Sequence, residues 1–127
     1  MASLGDTFLL AKRGINDHPF VIISDPAQNP TQVVTANFTS WRPDEDQSCI
    51  LERGEHRLIT HRSCVYYDNR QLTQAQYQHW LETGAIVPQD PVSVELLQRI
   101  LNGAAISPFI PLGNKQILVD QGLIDCP

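Results

Sequence analysis

Two imidazoles, two guanidiniums and two hydroxyls fall within one short segment, Gly54-Glu55-His56-Arg57-Leu58-Ile59-Thr60-His61-Arg62-Ser63. Histidine titrates closest to neutrality, so a pair of them can serve as base and acid, each contributing on the order of 10²–10⁴-fold. Guanidinium is permanently charged and presents a planar fork of donors to phosphate oxygens. This set suits cleavage of RNA by its own 2′-hydroxyl. One group takes the hydroxyl proton, another protonates the leaving 5′-oxygen, and cations hold the phosphate. His56 and His61 are the candidate acid and base, Arg57 and Arg62 the candidate phosphate ligands, and Ser63 an added donor. Glu55 would orient an imidazole or act as base itself, and Gly54 allows a tight turn beside a ligand. The same ten residues also read as a solvated hairpin, with Gly-Glu-His in the turn and His-Arg-Ser opening a strand.

Other residues with chemical potential are scattered. Lys12 and Arg13 are adjacent cations in a turn, available to phosphate. Trp41, Tyr66, Tyr67 and Trp80 can stack on bases, although core packing explains such aromatics equally well. Cys49, His56, His61 and Cys64 are the donor types of a tetrahedral zinc site. Their spacing, C-x6-H-x4-H-x2-C, matches no zinc pattern, so neither a metal nor a cofactor is expected. There is no phosphate-cradling glycine loop, no G-x-S-x-G and no H-E-x-x-H, which removes the common NTPase, hydrolase and zinc-protease classes.

The 127 residues fit one domain, and the net charge of −5 counts against a dedicated high-affinity nucleic-acid binder. The chain holds three cysteines. An odd number, no basic and apolar leader and no apolar run of about 20 residues together predict a cytoplasmic protein with free thiols and no membrane partner.

Something must position these groups. Strands are expected over residues 6–12, 20–24, 32–41, 48–52, 58–59 and 63–67. The run Phe20-Val21-Ile22-Ile23 is apolar without alternation, which implies burial on both faces. Short strands at this spacing predict a small antiparallel barrel or sandwich over residues 1–72. The period then changes. Thr73 and Gln76 form a capping box for a helix from Gln74 to about Thr83, stopped by Gly84. Asp90-Pro91 opens a second helix that Gly103 ends, and residues 114–121 form a third. The expected fold class is α+β: a barrel followed by a helical appendage over residues 73–127, all one domain.

The first 72 residues resemble the MazF/Kid (PemK-like) toxin family. Gly5-Asp6-Thr7-Phe8-Leu9-Leu10 looks like that family's first strand and His18-Pro19-Phe20-Val21-Ile22-Ile23-Ser24 like its second. Val33 to Ser40, ending in Asn37-Phe38-Thr39-Ser40, is similar to its third, and His61-Arg62-Ser63-Cys64-Val65 stands in place of its "x-D-S-x-V" strand. The resemblance implies an SH3-like barrel, a homodimer, and metal-independent cleavage of single-stranded RNA, with an antitoxin protein as partner. It also implies that Thr39, ending the third strand, and the residue before Pro19 serve the scissile phosphate. The family has Arg at that second position and this chain has His18, which holds phosphate only when protonated. The rival expectation is a non-catalytic protein-interaction module built on the same barrel.

Overall fold

The computed structural model describes residues 2–11 and 18–125. Its strands are β1 (Thr7–Leu10), β2 (Pro19–Ile22), β3 (Thr35–Ser40), β4 (Ile50–Leu51), β5 (Ser63–Tyr66) and β6 (Ile86–Gln89). Its helices are α1 (Gln74–Thr83), α2 (Val94–Ile106) and α3 (Leu112–Asp120). The strands form one six-stranded sheet in the order β4-β5-β3-β2-β1-β6, with every pairing antiparallel. The fold is therefore α+β. The sheet is open: its edges, β4 and β6, are not paired with each other, so the expected closed barrel is not what the strand ladder forms.

The lack of alternation in β2 has the expected meaning. Val21 and Ile23 enter one core and Ile22 another, and all three are fully buried. On the first face, Val21, Ala36, Phe38, Val65 and Tyr67 meet α2 through Leu96, Ile100 and Ala104, and α3 through Ile117 and Leu118. On the second face, Phe8, Ile22, Val33 and Ile86 meet Tyr77 of α1. The sheet is thus a middle layer between α2–α3 and α1.

The C-terminal part is not purely helical, contrary to expectation. β6 follows α1 directly and pairs with β1 from Thr7↔Gln89 to Leu10↔Ile86. Pro88 hid it, because proline argues against a strand interior yet is tolerated on a sheet edge. α1 and its capping box match the sequence reading, with Gly84 in the left-handed region at φ 80°. Residues 58–59 form no strand; Ile59 instead closes the turn, its N–H bonding to the His56 carbonyl. α2 begins at Val94, capped by the Ser93 hydroxyl on the Leu96 N–H, rather than at Pro91. It also runs through Gly103, which is buried against Tyr67 and Cys49. No described helix is long and apolar enough to cross a membrane.

Candidate functional site at one end of the sheet

The β3–β5 register, Thr39↔Cys64 and Ser40↔Ser63, carries the end of β3 to the start of β5. The chain on either side of that pairing stays together, since the Trp41 N–H bonds to the Arg62 carbonyl at 3.1 Å. Five side chains gather there. Ser40 Oγ lies 2.8 Å from His61 Nε2, and Thr60 Oγ1 lies 3.3 Å from His61 Nδ1. The Arg62 guanidinium sits 5.0 Å from the centre of the Trp41 ring, within cation–π range. Trp41 is itself fixed, its indole N–H donating to Gln47 Oε1 at 2.8 Å. Ser40, His61 and Arg62 are exposed.

Two features of this patch are structural in origin. Arg62 donates to Glu52 Oε1 at 2.9 Å; this pair is more than half exposed on both sides and so contributes little stability. Ser63 turns inward and donates to the His61 carbonyl at 2.9 Å. It positions the backbone under His61 and is not presented to a ligand.

His18 immediately precedes β2. Continuing the β2–β3 register, Phe20↔Asn37, by two positions sets His18 opposite Thr39. His18, just before β2, Thr39 in β3 and His61, just before β5, therefore lie at the same end of the sheet, with the Thr39 and Ser40 side chains on opposite faces. His56 does not join them. Its ring lies 6.5 Å from that of Phe38, and its ring nitrogens are held at Leu58 and Asp90 rather than at Ser40.

His56 has a different occupation. Its Nδ1 accepts from the Leu58 N–H at 3.1 Å, and its Nε2 lies 2.7 Å from the Asp90 carbonyl. An acceptor at Nδ1 puts the ring proton on Nε2, so both nitrogens are engaged by backbone. Asp90 follows β6, at the far edge of the sheet from β4. The β4–β5 arm thus folds across the α2 face and is fastened beside the opposite edge strand. Arg57 reinforces the fastening, 3.4 Å from the Asp90 carboxylate. Glu55 is likewise committed. It pairs with Arg99 of α2 and accepts from the Glu52 N–H at 2.6 Å. The Arg99 hydrogen bond, partly opposed by desolvation, holds its carboxyl below the usual glutamate range.

The four metal-donor types do not converge, and no group of three His, Cys, Asp or Glu side chains among the described residues is placed to hold a metal ion. Cys49 and Cys64 are buried, free thiols. Burial raises both, Cys64 to about 11, with Glu45 and Asp46 adding to the shift. They are neutral near pH 7. Lys12 and Arg13 lie outside the described residues.

Sequence reading found His61 and Arg62 but not Ser40, whose proximity depends on the β3–β5 register. It also missed Asp90, whose carbonyl and carboxylate gather His56 and Arg57 from 34 and 33 residues away. No local pattern carries such a contact. Compared with known proteins, the chain matches no family model, no curated protein and no solved structure to a significant level.

Proposed function

We propose that the chain is a toxin-like, metal-independent endoribonuclease, or an RNA-binding relative of one, that engages single-stranded RNA at the Ser40–Trp41–His61–Arg62 end of the sheet. The carrying observation is the exposed His61 imidazole, 2.8 Å from the Ser40 hydroxyl and next in sequence to Arg62. In this reading His61 Nε2 takes the 2′-hydroxyl proton, and O2′ attacks phosphorus to give a cyclic phosphate. The bond to the 5′-oxygen breaks, and that oxygen takes up a proton from solvent. Arg62 and the Ser40 hydroxyl hold the phosphate, and Trp41 offers a face to a base. Phosphate displaces Glu52 from Arg62 at little cost, since that ion pair is exposed. His56 and Arg57 drop out of the mechanism and become the fastening of the arm.

The test is incubation of the purified protein with single-stranded RNA in the presence of a chelator. Cyclic-phosphate ends that disappear with His61→Ala and Ser40→Ala support the reading. Intact RNA together with no shift of a labelled oligonucleotide removes it. A second reading, a non-catalytic protein-interaction module, is favoured by one observation. Ile106, Phe109 and Leu112 are 70%, 56% and 85% exposed around the α2–α3 turn, and Phe109 borders a cleft with Asp44 and Glu45. An apolar ridge beside carboxylates suits a basic, amphipathic protein segment, as an antitoxin would offer.

A further inference from the structure

The second face of the sheet carries a groove of ≈ 470 Å³ between β1–β2 and α1, within the range of small-ligand sites. One wall is flat: Phe8 and Phe20 stack with ring centres 5.4 Å apart and planes 8° apart. Trp80 lines the groove from α1. Phe20 and Trp80 are half-buried, so each keeps an accessible surface.

Three amides also line the groove, each with only one end used. Asn69 Nδ2 donates to the Thr35 carbonyl, Gln71 Nε2 to Asn114 Oδ1, and Gln76 Oε1 accepts from the Thr73 N–H. Asn69 Oδ1, Gln71 Oε1 and Gln76 Nε2 make no hydrogen bond among the described residues. Two acceptors and a donor beside aromatic surface are what a planar heterocycle with polar edges requires. Arg70 is the one charged residue lining the groove. It is exposed and has no carboxylate within ion-pair distance among the described residues, as is true of Arg42 and Arg53 as well. Of these three, only Arg70 lines the groove, where its guanidinium can take a phosphate at the rim.

We propose that this groove binds one mononucleotide unit, with its base against Phe20 and Trp80, its edge on the three amides and its phosphate on Arg70. The ligand is either a free nucleoside monophosphate or one nucleotide of a single strand. The proposal concerns the face of the sheet served by α1 and does not depend on RNA cleavage at the sheet end.

Trp41 and Trp80 are the only tryptophans, so Trp41→Leu leaves Trp80 as the sole tryptophan fluorophore and removes the stacking surface of the other patch. Each of the four nucleoside monophosphates, and the nucleosides without phosphate, is titrated while Trp80 emission is followed. The expected result is saturable quenching by at least one monophosphate, weakened about tenfold by loss of the phosphate and by Arg70→Ala. If a short oligonucleotide competes for the same signal, the groove reads a strand; if it does not, the ligand is the free mononucleotide. Either outcome supports the site. Emission unaltered by every monophosphate up to about 5 mM, or quenching that Arg70→Ala leaves unchanged, overturns it. His61→Ala keeps the groove, so quenching that survives when RNA cleavage is lost separates the two proposals.

Discussion

The Tyr67 hydroxyl occupies the space that a side chain at position 103 would need. Tyr67 donates to the Ile100 carbonyl at 2.7 Å, and a methyl at Gly103 would fall within 2.8 Å of Cys49 Cβ and closer still to the Tyr67 oxygen. Glycine sits in mid-helix here because Tyr67, just after β5, and Cys49, just before β4, pack against α2 at that point, at a helix-propensity cost of about 1 kcal/mol. Gly103→Ala should therefore destabilise by about 1–3 kcal/mol through overpacking, despite alanine's better propensity. Tyr67→Phe should cost about 0.5–1.5 kcal/mol by removing a buried hydrogen bond, the Ile100 carbonyl keeping its partner within α2. In urea unfolding the double variant should lose less than the sum, because removing the hydroxyl opens room for the methyl. Strict additivity would show that the contact is not what excludes the side chain.

His56 and His61 should separate stability from activity. His56→Ala removes two hydrogen bonds to backbone, worth about 1–2 kcal/mol together. It should lower the unfolding midpoint and raise amide exchange across residues 52–62. Under the proposed nuclease reading, RNA cleavage by the molecules that remain folded should persist. His61→Ala, on an exposed residue, should do the reverse. Equal loss of cleavage in both would return His56 to the chemistry.

The thiols should report unfolding rather than surface reactivity. Cys64 moves from 9.0 in the unfolded chain to about 11 in the fold. The proton is held more tightly by the folded state, so its contribution is complete below pH 9 and lost as pH rises toward 11. Chemical-denaturation midpoints should fall across that window, and Cys64→Ala should flatten the fall. A thiol reagent at neutral pH should modify Cys49 and Cys64 only at the rate of opening.

Glu55 acts at the other end of the pH scale. Its carboxyl is held low by Arg99, so the pair's contribution is present above the ordinary glutamate range and lost as pH falls through the lowered value. Glu55→Gln should weaken the acid dependence. Because both partners are partly exposed, the loss at neutral pH should stay under about 1 kcal/mol. A larger loss, or unchanged acid unfolding, would contradict this account.

Local signals in the sequence located local structure. The capping box, Gly84 and the apolar run of β2 are read within a few residues, and each is where the pattern put it. Gly103 misled because glycine near a helix end usually marks its stop, whereas here the constraint came from Tyr67, 36 positions earlier in the chain. The candidate site divides the same way. His61 and Arg62 are legible as residue types, but Ser40 reaches His61 only through strand register. His56 looked chemical for the same reasons as His61. The backbone partners of His56, the Leu58 N–H and the Asp90 carbonyl across the sheet, distinguish a fastened ring from an exposed one.

The two borders of the sheet are both poor templates for another chain. β4 is only two residues long, and β6 carries Pro88, which has no amide hydrogen to offer. Added strands would find few sites to ladder onto, so growth by sheet extension into dimers or fibres is discouraged on either side. Self-association, where it occurs, must use side-chain surface, and the α2–α3 turn with Ile106, Phe109 and Leu112 is where this molecule presents it.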